Sequence, residues 1–258
     1  MASTFDDIGS GCVVVFLHGF PFNRSMWREQ TDFLSAQGYR CVAPDLRGLG
    51  ENKSTNDVNT MEDMARDVAA LMDELTIDKA AICGLSMGCY VAFEFVHLFP
   101  TRVRALVLAG GRCEGPDKAE RQSREQQAKR VLEQGFTPSV ESILQSLLSP
   151  RTLANKADVV ARVRAMVKST DPLGAAAAQR GMAARRNYCG DLAQISVPTL
   201  IVAGRDDGVR KPIDAETIHR GIKSSQLEII NHAGHLMNME QPEAFNRVMS
   251  QFVEQLNQ

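Results

Sequence analysis

One stretch limits what this chain can fold into more than any other. Ala80-Ala81-Ile82-Cys83 is an apolar run that ends in Gly84-Leu85-Ser86-Met87-Gly88, and apolar residues then recur at helical spacing to about Phe99, before Pro100. This reads as strand, sharp turn, helix, with Ser86 at the turn and its hydroxyl pushed clear of the sheet edge. Gly84 and Gly88 suit the flanking positions because side chains there would collide where strand and helix cross closely. The context turns a short pattern into a candidate nucleophile.

The rest of the chain repeats the alternation. Met1 to Gly11 is short and polar and reads as a loop. Cys12 to Leu17, CVVVFL, has no polar alternation and fits a strand covered on both faces. A helix is expected over Ser25 to Gln37, stopped by Gly38, then a short strand over Arg40 to Ala43. Thr60 and Asp63 are spaced as a capping box ahead of Met61, Met64, Ala65, Val68, Leu71, Met72 and Leu75. Val103 to Ala109 is a further strand. After it, residues 112–187 hold no strand-like run. They carry 14 Lys+Arg against 8 Asp+Glu, a net of +6, so the remainder carries −8 to reach the whole-chain −2. Strand patterning resumes at Val197 to Ala203 and at Gln226 to Ile230, with a helix around Pro212 to Gly221 between them. A last helix starts near Pro242.

Strands alternating with helices predict a mainly parallel sheet, in which function gathers beyond the carboxyl ends of the strands. His18, Ser86, Asp207 and His235 all fall just past a predicted strand end. A length of 258 residues with 44% hydrophobic and 23% charged residues suits one large α/β domain with an insertion. The reading is a core of residues 1–111 and 188–258, and a helical insertion over 112–187. A net charge of −2 argues against nucleic-acid binding. No apolar run approaches membrane-spanning length and no basic leader precedes an early one, so a soluble, cytoplasmic protein with no membrane partner is expected. The six cysteines, Cys12, Cys41, Cys83, Cys89, Cys113 and Cys189, form no C-x-x-C pair. They read as small buried thiols in a reducing compartment.

A serine hydroxyl needs a base to take its proton and a third group to orient that base. The chain order Ser86, Asp207, His235 supplies nucleophile, orienting carboxylate and base in the order of an α/β-hydrolase triad. The backbone N–H groups of Phe20 and Met87 are placed to hold the oxyanion. Phe22, Met26 and Trp27 either line a pocket or pack in the core. Neither a metal cluster nor a dinucleotide fingerprint is present, so no cofactor and no metal are implied.

These motifs together resemble the α/β-hydrolase fold serine hydrolases, and among them the small esterases and lactonases related to 3-oxoadipate enol-lactonase. His18-Gly19-Phe20 matches the oxyanion loop, and Asp45-Leu46-Arg47-Gly48-Leu49-Gly50 a D-x-R-G-x-G turn. Gly84 to Gly88 match the elbow, Gly204-Arg205-Asp206-Asp207 the loop that carries the acid, and Gly234-His235 the base. The resemblance implies His235 rather than His232 as base and Asp207 rather than Asp206 as acid. It gives His18 a structural role in the oxyanion loop, and Asp45 and Arg47 roles as turn and loop anchors. Leu49 stands where relatives commonly carry histidine, with no catalytic effect expected. Many relatives have a two-stranded lead-in, whereas 11 residues precede Cys12 here. The expected architecture is therefore an α/β-hydrolase fold with a sheet of about six strands, flanked by helices and bearing a helical cap over residues 112–187. Its basic charge would favour an anionic substrate, with Arg185 and Arg186 as the pair to examine. The expected activity is cofactor-independent hydrolysis of a small carboxylic ester or lactone through an acyl-enzyme. The same triad also suits a C–C bond hydrolase, a lyase, or a receptor of low turnover.

Overall fold

The computed structural model describes residues 4–257. Its sheet contains β1 (Phe5–Ile8), β2 (Cys12–Leu17), β3 (Tyr39–Pro44), β4 (Ala80–Leu85), β5 (Val103–Ala109), β6 (Thr199–Gly204) and β7 (Ser225–Ile230). The strand order is β1-β3-β2-β4-β5-β6-β7. β1 runs antiparallel to β3, and all other pairs are parallel. The expectation of about six strands and an N-terminal loop needs correction, since seven strands are present among the described residues. Phe5-Asp6-Asp7-Ile8 is half polar, and its two adjacent aspartates disfavour a strand and break the alternation of apolar and polar residues. Its pairing comes from the open edge of β3, with Phe5 opposite Pro44 and Ile8 opposite Cys41. Two aspartates on such a short edge strand also discourage pairing with another molecule.

Helices fill the connections. α1 (Arg28–Ser35), α2 (Met61–Glu74) and α3 (Met87–Leu98) follow β2, β3 and β4. α4 (Lys118–Gln134), α5 (Val140–Leu147), α6 (Pro150–Asn155), α7 (Ala157–Ser169) and α8 (Pro172–Ala184) all lie between β5 and β6. α9 (Pro212–Gly221) joins β6 to β7, and α10 (Met237–Glu240) and α11 (Pro242–Glu254) come after β7. The continuous apolar strands are explained by two cores. Val14 and Phe16 of β2 pack with Trp27, Leu34 and Phe245 on one face of the sheet. Val15 and Leu17 pack with Met64, Val68 and Phe95 on the other. At the start of α2 the Asp63 N–H donates to Thr60 Oγ1 at 3.0 Å and the Thr60 N–H donates to Asp63 Oδ2 at 3.2 Å. This reciprocal cap fixes where the helix begins.

The insertion is entirely helical among its described elements, with α4 packed along α8. It is seated on the core by small residues of α8. A side chain at Gly174 would lie 1.6 Å from the Gly48 carbonyl oxygen, and one at Gly181 would lie 1.7 Å from that of Asn59.

The cysteine reading is corrected in part. Cys113 and Cys189, 76 positions apart, form a disulfide with their Cα atoms 4.8 Å from each other. Sequence spacing cannot reveal a pair that only the return of the insertion to the core brings together, and the bridge removes the argument from six free thiols to a reducing compartment. Cys41, Cys83 and Cys89 are buried thiols, and burial pushes those of Cys41 and Cys89 up to about 12. No described helix is long and apolar enough to cross a membrane.

Candidate active site

Ser86 lies between β4 and α3 with φ 56° and ψ −110°, a backbone conformation that costs a non-glycine residue about 1–3 kcal/mol. Its surroundings hold it there. The Ser86 N–H donates to the Ala109 carbonyl at 2.8 Å, and the Cys89 N–H donates to the Ser86 carbonyl at 3.0 Å. A side chain at Gly84 would lie 2.3 Å from the Gly88 carbonyl oxygen, and one at Gly88 would lie 2.1 Å from that of Leu17. The two glycines are thus required by the close crossing of strand and helix.

His235 is 2% exposed, and its Nδ1 lies 2.8 Å from Asp207 Oδ2. The other carboxylate oxygen of Asp207 accepts from the N–H groups of Val209 at 2.7 Å and Arg210 at 2.8 Å. The acid is therefore locked by its own loop, and Nδ1 of the imidazole is committed to it, which leaves Nε2 for other chemistry. Ser86 and His235 line the same cavity, of about 770 Å³. By contrast His232 and Asp206 are exposed.

The loop that carries His235 is tied into the insertion. The His235 N–H donates to the Leu147 carbonyl at 2.7 Å. Glu240, fully buried, accepts from the Gly234 N–H at 2.9 Å through one oxygen and from the Ser149 N–H at 2.7 Å through the other. Sequence reasoning gave Glu240 no role. Its partners lie on two segments 6 and 91 positions away.

His18 is fully buried, with Nδ1 donating to the Gly19 carbonyl and Nε2 accepting from the Leu46 N–H, both at 2.9 Å. Burial lowers its affinity for a proton, only partly offset by the Gly19 hydrogen bond and Asp45. It ties the loop after β2 to the turn after β3. Asp45 anchors that turn by accepting from the N–H groups of Arg24 at 2.8 Å and Glu51 at 2.9 Å, while Arg47 pairs with Asp67. Phe20 lines the cavity, and among the described residues neither its N–H nor that of Met87 donates to a backbone acceptor.

Four expected substrate contacts lie elsewhere. Phe22 and Trp27 are at most 1% exposed and belong to the core, where Trp27 packs on Phe16 and Phe245. Arg185 is buried behind the cavity wall, bonded to Glu120 and to the carbonyls of Met182 and Glu114, with its guanidinium over the Tyr90 ring. Arg186 pairs with Glu94 and Asp191 and lines a different cavity from that of Ser86. The positive charge of the cavity wall comes instead from Arg112, Arg124, Arg130 and Arg210. Glu120 is the hub of this region, in contact with Arg112, Arg124 and Arg185. Burial alone would raise its carboxyl, but the hydrogen bond and charge of Arg185, with Arg124, hold it at about 2.

The one group of potential metal ligands among the described residues is Cys113, Glu114 and Cys189, and its two sulfurs are bonded to each other.

Residues 13–242 match the model of a family described as the alpha/beta hydrolase fold. Two enol-lactonases of Acinetobacter baylyi are similar to the chain. 3-Oxoadipate enol-lactonase 1 is 30% identical over 94% of this chain and 89% of its own length. 3-Oxoadipate enol-lactonase 2 is 27% identical over 95% and 89%. A thermophilic esterase from Thermogutta terrifontis, solved with malate bound, superposes with a TM-score of 0.97 at 36% identity, covering 99% of this chain and 94% of that one.

Proposed function

The chain belongs to the α/β-hydrolase fold family, and from that premise we propose that it hydrolyses small carboxylic esters or lactones with Ser86, His235 and Asp207 as its triad. It is an α/β hydrolase with esterase and enol-lactonase relatives. The observation that carries the finer reading is the single cavity that holds both the elbow serine and the imidazole bonded to Asp207.

His235 Nε2 takes the Ser86 proton as Oγ attacks the carbonyl carbon. The resulting oxyanion accepts from the N–H groups of Phe20 and Met87, each donor contributing on the order of 3 kcal/mol to the transition state. Asp207 stabilises the imidazolium and keeps its ring oriented. The imidazolium then gives its proton to the departing alkoxide, which in a lactone stays attached to the acyl chain. Water, deprotonated by the same nitrogen, attacks the acyl-enzyme, releases the acid and restores the serine. Residues 112–187 act as a lid, since the cavity wall includes Arg112, Glu120 and Leu147 from one side and Ser86 and His235 from the other.

A fluorophosphonate label mapped by mass spectrometry, with turnover of p-nitrophenyl esters, lactones and C–C ring-cleavage substrates, tests this. The label is expected on Ser86, and Ser86→Ala should lose at least 1,000-fold in kcat on esters. A label on another residue, or cleavage of C–C substrates alone, overturns it.

A further inference from the structure

Gly19 lies in the loop after β2, and a side chain on it would come within 3.5 Å of Ser86 Cβ. This backbone therefore borders the reacting atoms. The Gly19 carbonyl accepts from the Phe22 N–H at 3.0 Å and from His18 Nδ1 at 2.9 Å. The peptide joining Gly19 to Phe20 is trans, so its N–H points away from that doubly held oxygen. The rotation of this peptide decides where the proposed oxyanion donor aims. On the other side of the Gly19 Cα, the Gly19 N–H donates to Met26 Sδ at 3.3 Å. Both peptide planes that meet at Gly19 are pinned, at a residue whose own backbone restrains it least.

Met26 is fully buried, in a short 3-10 helix over Arg24–Trp27. A thioether is a weak acceptor, and leucine fills a buried methionine position with little loss, so packing alone does not call for sulfur here. Met26 is held in turn from the side of the base. Asn238, fully buried and three residues beyond His235, donates through Nδ2 to the Met26 carbonyl at 2.9 Å. Gln30 closes the arrangement. Its Nε2 donates to the Asn238 carbonyl at 3.1 Å, and its Oε1 accepts from Asn238 Nδ2 at 3.2 Å. A continuous path thus runs from the segment that bears the imidazole, through Asn238 and Met26, to the peptide that bears an oxyanion donor. Resting on the proposed ester hydrolysis, we infer that Met26 is a positioning residue: its sulfur fixes the Gly19–Phe20 backbone for the transition state, and Asn238 sets that backbone in register with His235.

The test uses turnover of p-nitrophenyl butyrate, with kcat taken per site labelled by a fluorophosphonate, and inhibition by phenylboronic acid, whose adduct with a serine is tetrahedral. Met26→Leu keeps the volume and removes the acceptor. Its kcat should fall about tenfold with KM within about twofold, the pattern of an interaction made in the transition state. Phenylboronic acid should lose affinity by a similar factor. Met26→Gln restores an acceptor but buries an amide, so it should melt below Met26→Leu and yet exceed it in kcat, an order that packing alone would reverse. Asn238→Leu should lower kcat in the same way, and less than additively with Met26→Leu. Amide exchange at Gly19, read by NMR on protein carrying isotope-labelled glycine, needs no turnover, and protection there should be lost in Met26→Leu. Unchanged kcat or unchanged Gly19 protection in Met26→Leu, a kcat of Met26→Gln no higher than that of Met26→Leu, or an additive double variant overturns the assignment. Wild-type labelling at Ser86 with unchanged kcat in Met26→Leu leaves the hydrolase reading standing. A wild-type protein with neither label nor turnover removes that reading, while lost Gly19 protection in Met26→Leu keeps the tether.

Discussion

Both ring nitrogens of His18 are spent on backbone groups, one as donor and one as acceptor. The ring therefore works only when neutral, and burial holds its pKa below the usual 6.5. The sign of the linkage follows. As pH falls below 6.5 the unfolded chain takes up a proton that the folded chain refuses, so stability is full above that pH and declines beneath it. Urea denaturation between pH 7.5 and 5 should show this loss, and His18→Gln should flatten it while lowering stability at pH 7.5. A parallel slope in both proteins would assign the acid sensitivity to other groups. Ser86, Asp207 and His235 were legible as candidates because each follows a strand end, by one, three and five residues, in a glycine-marked motif. The contact of Arg210 with Tyr90 was not, because the two lie 120 positions apart. Arg185 and Arg186 misled for the same reason in reverse: their charge was visible, but the carboxylates that consume it were not.

Strands and helices with strong patterns were readable nearly to the residue. β2, β5 and α9 coincide with their predicted spans, and the Thr60 cap places the start of α2. β1 escaped because its two adjacent aspartates disfavour a strand, and pairing with β3 overrides them. Phe22 and Trp27 could not be assigned to pocket or core from the sequence, because the core they join includes Phe245 of α11, which packs on Trp27. The connection between the His235 loop and the insertion was also invisible, since it runs through the Leu147 carbonyl and the Glu240 carboxylate, both distant in sequence from one of the segments they join. Replacing Glu240 with alanine strands two buried N–H groups, those of Gly234 and Ser149, at about 2–6 kcal/mol in total. Thermal melting of Glu240→Ala should report a loss of that order, and Glu240→Gln, which keeps one acceptor, a smaller one. Ester kcat should fall in the same order, as the backbone that carries the imidazole loosens.

Charge and chain connectivity act on the entire protein. The helical insertion carries +6 and the rest −8, so an anion approaching the cavity meets its favourable field on one side only. That asymmetry was readable from counting residues, whereas the cavity it overlooks was not. The Cys113–Cys189 bond has a further consequence. It joins the two ends of the insertion, so the backbone there is a covalent ring sewn to the body at a single seam. Opening the seam frees a segment whose closure is worth about 4.5 kcal/mol in chain-entropy terms. A protease that nicks the exposed turn near Thr137 should leave one band on a gel without reductant and two with it. The severed insertion would remain attached like a hasp whose hinge has been cut but whose lock still holds.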